Sequence, residues 1–291
     1  MKYLIVSADD FGLARNINEG IVKAYKEGIV TCVHLMPTGE AFDDALKLAK
    51  MIGLNEIGAH LALTQTTPLT EAGKIPTLLA ANGGFYQDYK KFFLKFIHKG
   101  IDLNQIYIEL KSQINALQMA GLRITNLSSH DHIHMAPVIL DIFVKLAKEY
   151  CIPAIRFPHE EKSFHSGINQ FYKSIILSFL EERAKKVLHA SAISSPDHFR
   201  GFLDSGKLKE EVVLRIIGSL EEGTTELVCH PAIIGPEVLK KYGFHKNGEL
   251  ELSALTGYAV KKLIKNKEIQ LLSYGEFLLK NEVKAVPFTP D

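Results

Sequence analysis

The sequence has few cysteines, almost no net charge and no long apolar run, and each lack excludes a class of protein. Cys32, Cys151 and Cys229 are an odd number without close spacing, so neither a disulfide framework nor a zinc–cysteine site is expected. With 34 basic and 33 acidic residues, the formal net charge is +1, which gives no electrostatic basis for binding nucleic acid. No uninterrupted apolar run approaches the roughly 20 residues that span a bilayer. We therefore expect no membrane-spanning segment and no nucleic-acid partner.

The amino terminus leads directly into a strand-like segment rather than a signal peptide. Met1, Lys2 and Tyr3 are followed at once by the short apolar run Leu4-Ile5-Val6. We therefore predict a cytoplasmic protein. The chain of 291 residues, 46% of them hydrophobic, can bury a substantial core. We predict one domain over residues 1–291, and the sequence leaves open whether it forms a homodimer.

Strand-like and helix-like segments alternate along the chain. Amphipathic or capped patterns predict helices at 16–27, 42–51, 101–120, 138–149, 168–186, 209–220 and 256–266. Short apolar runs predict strands at 3–6, 30–36, 57–63, 124–129, 152–157, 226–229 and 270–272. This alternation is typical of a parallel sheet with right-handed crossovers. Fewer than eight strands are evident, so we predict an α/β fold of the (β/α) barrel type, incomplete or distorted, with irregular insertions such as 64–100 over its mouth.

Two adjacent acids, Asp9 and Asp10, follow the first strand. The carboxyl ends of parallel strands are where α/β enzymes place their catalytic groups. Two neighbouring like charges repel unless a cation lies between them or one is protonated. A divalent metal ion could bind one carboxylate and leave the other as a base. The alternative is that Asp10 caps the helix that begins near Arg15, and the pair alone does not separate these interpretations.

Histidines follow three other predicted strands. His60 lies in the apolar segment 56–64, where a hydrogen-bonded core histidine is the common alternative. His130, His132 and His134 alternate after the strand at 124–129, and alternating residues of an extended chain share one face. A solvated polar loop is the alternative there, but the neighbouring residues are apolar. His230 ends the strand at 226–229. Four strands thus direct acids or imidazoles to one site.

On residue types alone, Asp10, His60 and one histidine of the cluster form a set of two imidazoles and one carboxylate. Such a set is compatible with zinc, iron or manganese, whereas magnesium prefers oxygen ligands. We expect one divalent metal ion as cofactor, zinc or magnesium. Such an ion can polarise a bound carbonyl group and promote deprotonation of water.

At these residues the chain resembles the YdjC-like carbohydrate deacetylases, which include chitooligosaccharide and hopanoid-associated deacetylases. The similarity is carried by four blocks over nearly the whole chain: residues 7–12, 58–64, 129–134 with Pro137, and 229–231. One position departs from the pattern, because the chitooligosaccharide branch usually has an aspartate two residues before the first histidine of the cluster. This chain has Ser128 at that position. The difference bears on the substrate and on the properties of the bound metal more than on the reaction.

The resemblance implies Asp10, His60 and His130 as metal ligands and Asp9 as the general base. His230 would protonate the departing amine or stabilise the oxyanion as an imidazolium. Arg156, at the end of the strand at 152–157, could pair with Asp9, with a surface salt bridge as the alternative.

The other histidines carry weaker signals. Because the strand ends at the cluster, we expect the backbone to turn and spread the rings, and we assign His132 and His134 to substrate contact or to support of the residues around the metal. The remaining histidines, including His34 and His245, are expected to be structural or exposed. A polar stretch at 194–201 that contains Phe199 could recognise sugar.

We therefore predict a metal-dependent enzyme that removes the N-acetyl group from a small-molecule or lipid-linked acetylated amino sugar. A metal-dependent phosphoesterase is one rival, but the sequence shows neither ligands for a second metal nor a phosphate-binding glycine loop. A catalytically silent sugar-binding protein is the other rival, and it would not need both Asp9 and Asp10.

Overall fold

Eight parallel strands form the centre of the part of the chain that the structure describes. A computed structural model describes residues 1–160 and 182–281. The strands are β1 (Lys2–Phe11), β2 (Cys32–Leu35), β3 (Glu56–Leu61), β4 (Arg123–Ser129), β5 (Ala154–Ile155), β6 (His198–Arg200), β7 (Gly223–Cys229) and β8 (Gln270–Leu271). Seven of them follow the order β5-β4-β3-β2-β1-β7-β6, and β8 pairs with β1. The sheet is curved into an incomplete (β/α) barrel, which confirms the predicted fold class.

Strand β1 pairs with neighbouring strands along both of its edges. One edge pairs with β7 from Lys2 to Ala8. The other edge is shared, with β8 pairing at Tyr3 and Leu4 and β2 pairing from Ser7 onward. Strand β1 is almost entirely buried, as expected of a strand with both faces covered. Its carboxyl end is therefore held from several sides, which makes it a rigid position for functional groups.

In residues 1–160 and 182–281, eleven helices surround or follow the strands. They are α1 (Arg15–Glu27), α2 (Phe42–Met51), α3 (Tyr89–Ile97), α4 (Leu103–Met119), α5 (Pro137–Glu149), α6 (182–190), α7 (Glu210–Gly218), α8 (Pro236–Lys241), α9 (Gly248–Thr256), α10 (Tyr258–Asn266) and α11 (Tyr274–Lys280). Helix α1 buries Ile17, Ile21 and Ala24 against the sheet, as its apolar spacing predicted. None of the helices in the described ranges combines the length and apolar character needed to cross a membrane.

Several predicted boundaries need correction. The insertion expected to be irregular at 64–100 contains helix α3, and strand β5 is shorter than the predicted 152–157. Most of the helix predicted at 168–186 lies outside the described residues; the described part, from 182, is helical. Helix α1 begins after Ala14 without any side-chain cap, so the interpretation of Asp10 as a helix cap is wrong.

Candidate metal centre at the carboxyl ends of the strands

A backbone irregularity brings Asp9 and Asp10 to the same place. Successive side chains of a regular strand point to opposite faces. Here the pairing of β1 with β2 shifts register between Ala8 and Phe11, and Asp10 adopts a left-handed conformation with φ of 67°. As a result, both carboxylates approach the ring of His60: Asp9 Oδ2 lies 3.9 Å from Nδ1, and Asp10 Oδ1 lies 3.3 Å from Nε2.

The carboxylate of Asp10 is surrounded by three imidazoles. Its Oδ1 lies 3.3 Å from His60 Nε2 and 3.0 Å from His130 Nδ1, and its Oδ2 lies 3.1 Å from His245 Nε2. Burial alone would raise the pKa of Asp10, but the charge of His130 and hydrogen bonds from His130 and His245 hold it well below its usual range. Asp10 therefore stays ionised, as a metal ligand must.

Asp10, His60 and His130 can hold one metal ion. One ligand atom from each residue lies within 4.8 Å of the others. Ser128 Oγ lies 3.2 Å from the carbonyl of Ala59 and 2.9 Å from His60 Nδ1, so it can donate to the carbonyl and accept the Nδ1 proton of His60. The lone pair of His60 is then on Nε2, which faces Asp10. Within the described chain, His130 Nε2 is buried without a hydrogen-bond partner, a further sign of a site built for a cation.

The carboxylate of Asp9 has a different partner. Arg156 is fully buried and binds Asp9 with two hydrogen bonds, Nη1 to Oδ2 at 2.5 Å and Nη2 to Oδ1 at 2.8 Å. This is the predicted pairing, and the alternative of a surface salt bridge is wrong. Burial raises the pKa of Asp9, but the charge of Arg156 lowers it well below its usual value.

The other groups around Arg156 argue against a second metal ion. Asp9, His34 and His60 also have ligand atoms within 4.8 Å of one another. However, Arg156 Nη2 lies 2.6 Å from His34 Nδ1, and the guanidinium already occupies both oxygens of Asp9. A cation placed there would be repelled by a buried positive charge. The two carboxylates therefore have separate surroundings, one rich in imidazoles and one bound to arginine.

The histidine cluster is a tight turn rather than an extended segment. Residues His130–Met135 form a 3-10 helix in which Asp131 and His132 have φ of 55° and 50°. The three rings are consequently spread, as expected from the end of the strand at this point. The side chain of Asp131 accepts hydrogen bonds from Thr64 at 2.9 Å and from Gln65 at 3.1 Å. These bonds tie the turn to the end of β3.

His134 supports the centre rather than facing a substrate. Its ring is fully buried, with Nδ1 2.6 Å from Ser129 Oγ and Nε2 3.0 Å from the carbonyl of Arg156. Burial lowers the pKa of His134 to about 3, so the ring is neutral. We therefore correct the expectation of substrate contact for this residue. His132 is partly exposed and packs against Phe202, with ring centres 5.0 Å apart, and its assignment to substrate contact stays a prediction.

His230 lies in the same region, but its protonation differs from the expectation. Only 8% of the residue is exposed, and its ring meets the edge of Phe244 at 4.9 Å. Its backbone N–H donates to Glu251 at 2.7 Å. Burial lowers the pKa of His230 to about 4, although the carboxylates of Asp10 and Asp9 act in the opposite direction. A ring with this pKa is uncharged near neutral pH, which does not fit the expected imidazolium, because loss of solvation outweighs the attraction of the acids.

Three residues of the centre were missed or misassigned from the sequence. His34 and His245 were expected to be structural or exposed, but both are buried, and they contact Asp9 and Asp10 respectively. Glu226 accepts from Arg156 Nε at 2.9 Å. A signal existed for two of them, since an imidazole in strand β2 and a carboxylate in strand β7 are unusual in buried apolar strands. His245 lies in a short 3-10 helix with no such pattern.

The stretch at 194–201 has a structural role. It contains strand β6, where Phe199 is buried, and the Asp197 carboxylate accepts from the Thr224 backbone N–H at 2.7 Å. Thr224 lies at the amino end of β7, at the opposite edge of the sheet from the centre. Its Phe199 ring nevertheless lies by the centre, 6.0 Å from the ring of His132 and 5.9 Å from the guanidinium of Arg156, so sugar recognition by this stretch stays a prediction.

Fold and site together define an incomplete (β/α) barrel with a carboxylate–imidazole centre at the carboxyl ends of its strands. The chain belongs to the YdjC-like protein family, whose model matches residues 3–266. It is 30% identical over 275 residues to a carbohydrate deacetylase of Thermoanaerobacter pseudethanolicus, covering 94% of this chain and 99% of the relative. It is 31% identical to a carbohydrate deacetylase of Brevibacillus brevis, covering 94% and 98% of the two chains.

A solved structure also resembles this fold. An Enterococcus faecalis protein, provisionally named a cellobiose-phosphate cleavage protein, aligns with a TM-score of 0.77 and 26% sequence identity. The alignment covers 95% of this chain and 98% of that protein. The similarity therefore extends over the barrel and its insertions.

Proposed function

We propose that this protein is a metal-dependent carbohydrate N-deacetylase. The observation that carries the proposal is the division between the two adjacent acids: Asp10 faces imidazoles, whereas Asp9 is bound by Arg156. A silent sugar-binding protein has no need for two ionised buried carboxylates with different partners. The names of the curated relatives support deacetylation of a carbohydrate as the reaction.

Asp10, His60 and His130 would hold one divalent ion. When bound, that ion would polarise the acetyl carbonyl and lower the pKa of a neighbouring water. Two imidazoles and one carboxylate fit zinc better than magnesium, which prefers oxygen ligands. Ser128 would keep the ring of His60 in the tautomer whose Nε2 can ligate.

Asp9 would accept the proton of the attacking water. Arg156 binds both of its oxygens and fixes the plane of the carboxylate, and the second lone pair of Oδ2 stays available on the side of His60. Asp9 would then return this proton to the nitrogen of the departing amine. A base that is fixed in position contributes more than its basicity alone, because no reorganisation is needed at the moment of transfer.

His230 would act on the acetyl carbonyl oxygen. With a pKa lowered to about 4 by burial, its ring is neutral near pH 7 and can donate an N–H to the oxygen as negative charge develops. The low pKa favours this role over that of a charged acid. We include an acetylated amino sugar as the substrate class, since an acetamido group supplies the amide that such a centre hydrolyses.

The test combines metal analysis with acetate release. The purified protein should contain about one divalent ion per chain, and a chelator should abolish acetate release from acetylated amino sugars while the circular dichroism spectrum is unchanged. Re-addition of zinc should restore activity. A chain that releases acetate equally well after complete metal removal would overturn the metal-dependent mechanism.

A further inference from the structure

His245 reaches the metal-ligand cluster from outside the strands of the barrel. It lies in the 3-10 helix Gly243–Asn247, between α8 and α9, and only 3% of the residue is exposed. Its backbone N–H donates to the carbonyl of Tyr242 at 2.9 Å. Two residues further on, Asn247 Nδ2 donates to the carbonyl of Gly206 at 2.7 Å. The ring of His245 is therefore carried by a segment that is itself held in place.

The ring makes one hydrogen bond within the described part of the chain. His245 Nε2 lies 3.1 Å from Asp10 Oδ2, whereas Nδ1 is buried without a hydrogen-bond partner there. The neighbouring rings are those of Phe244 and His230, with centres 5.4 and 6.1 Å away. An ionised carboxylate can only accept hydrogen bonds, so the shared proton belongs to Nε2 and His245 is the donor. The contact with Asp10 is thus the polar contact that this buried ring is placed to make.

The two carboxylate oxygens of Asp10 face different groups. Oδ1 lies 3.3 Å from His60 Nε2 and 3.0 Å from His130 Nδ1, on the side of the other two ligands, whereas Oδ2 faces His245. The last side-chain torsion of an aspartate has broad energy minima, so rotamer preference alone does not fix the plane of the carboxylate. A hydrogen bond to Oδ2 does fix it, because rotation of the carboxylate would break that bond.

His245 itself is not placed as a ligand. Within residues 1–160 and 182–281, the group around Asp10 whose ligand atoms all lie within 4.8 Å of one another consists of Asp10, His60 and His130. The proton on His245 Nε2 also occupies the position that a ligating nitrogen needs for its lone pair. Residues that hydrogen-bond a metal ligand typically change metal affinity or activity by 10- to 100-fold when they are removed.

We propose that His245 is a positioning residue for metal binding, whose Nε2–H holds Asp10 Oδ2 and thereby keeps Asp10 Oδ1 directed toward His60 and His130. The proposal rests on the metal binding proposed above and gives a role to a residue outside the ligand set. It requires a hydrogen-bond donor at position 245 and does not require an imidazole.

Three variants separate the hydrogen bond from the volume of the ring. His245→Leu keeps a buried side chain of similar size and removes the donor. His245→Gln keeps an N–H at a similar distance from the backbone. His98→Leu, at the exposed histidine that follows α3, is the matched control. Each protein is titrated with zinc against a competing chelator, and circular dichroism verifies that the metal-free chain is folded.

His245→Leu should weaken zinc binding roughly 10- to 100-fold. His245→Gln should recover most of that affinity, and His98→Leu should match the parent. Parent-like affinity in His245→Leu, or equal losses in the leucine and glutamine variants, would overturn the positioning role and leave the proposed metal binding intact. A parent that binds no zinc would overturn both.

Nuclear magnetic resonance of the parent tests the same contact without relying on the folding of His245→Leu. With isotope-labelled histidine, the Nε2–H signal of His245 is assigned by its loss in His245→Gln. A donor to Asp10 should keep this proton, protected from exchange with water, both before and after zinc is added. A proton that exchanges rapidly in the metal-free protein would overturn the positioning role. Loss of the proton when zinc binds would also overturn it, because Nε2 would then be a ligand.

Discussion

The Glu226 carboxylate accepts a hydrogen bond from Arg156 Nε at 2.9 Å, on the side of the guanidinium away from the bond between Nη1 and Asp9. Its other oxygen accepts from the hydroxyl of Tyr274 at 2.6 Å. Every member of this chain of contacts is buried. The orientation of the arginine, and with it that of Asp9, is thus set by side chains of β7 and α11.

Removal of Glu226 should strongly destabilise the protein. Glu226→Ala leaves Arg156 Nε and the Tyr274 hydroxyl buried without partners, so we expect a loss of roughly 3–5 kcal/mol in the free energy of unfolding. Glu226→Gln keeps an oxygen for the arginine and a polar group for the tyrosine, and should recover most of that loss. Urea unfolding of the three proteins measures this. Equal losses for alanine and glutamine would show that the hydrogen bonds of Glu226 contribute little.

The two adjacent acids should respond differently to the same change. Asp9→Asn should leave the metal content near that of the parent and lower kcat by roughly 10²–10⁴, the usual range for a general base. Asp10→Asn should reduce the metal content itself, because it replaces a ligand. Elemental analysis and acetate release on both variants test this division. Equal metal loss in the two would mean that both carboxylates are ligands.

Particular residues show how much of this centre could be predicted from the sequence. Asp10, His60 and His130 each end a short apolar strand, and topology alone brings the ends of parallel strands together. His245 could not be found in this way, because it reaches Asp10 from a short 3-10 helix whose position depends on packing far along the chain. The burial of His230, which lowers its pKa, could not be predicted either, because no local sequence pattern reveals it.

The fold likewise has elements that the sequence predicts and elements that it does not. Helices with one apolar face, such as α1 and α2, were predicted nearly to the residue. Helix α3 was missed because its apolar residues face both ways, with Phe92 buried while Leu94 and Ile97 are 60% and 71% exposed. The left-handed backbone of Asp10 was also beyond prediction, since most residues avoid that conformation and only the surrounding contacts hold it.

Ser128 should control metal affinity through His60. Ser128→Ala removes the acceptor for the Nδ1 proton of His60, so the ring can adopt the tautomer that cannot ligate through Nε2. We expect metal affinity to fall roughly 10- to 100-fold, as is usual for such supporting residues. Ser128→Thr, which keeps the hydroxyl, is the control. Titration with zinc in the presence of a competing chelator measures both, and unchanged affinity in Ser128→Ala would contradict the tautomer assignment.

His134 should make the protein sensitive to mild acid. Its pKa of about 3 in the folded chain is below the ordinary value of about 6.5, so on acidification the unfolded chain takes up the proton first. This contribution to stability is complete above about pH 6.5 and is lost progressively toward pH 3. Between pH 7.5 and 5.0, the lowered pKa of His134 should reduce the free energy of unfolding of the parent by roughly 2 kcal/mol. Urea unfolding of His134→Gln should show a correspondingly smaller loss, and an identical loss would exclude His134 as a source.

His230 should affect the rate by the same factor throughout the neutral range. Because its pKa is lowered to about 4, the ring is uncharged from pH 6 to 8, and a neutral donor to the developing oxyanion has the same protonation state throughout. His230→Ala should lower kcat roughly 10²–10³-fold with little change in KM, since this hydrogen bond strengthens only as charge develops on the oxygen. Acetate release at pH 6, 7 and 8 for parent and variant gives the ratio of their kcat/KM values, which should be constant. A ratio that shrinks about tenfold per pH unit would show that His230 must carry a proton as a cation, and would return it to the role of general acid.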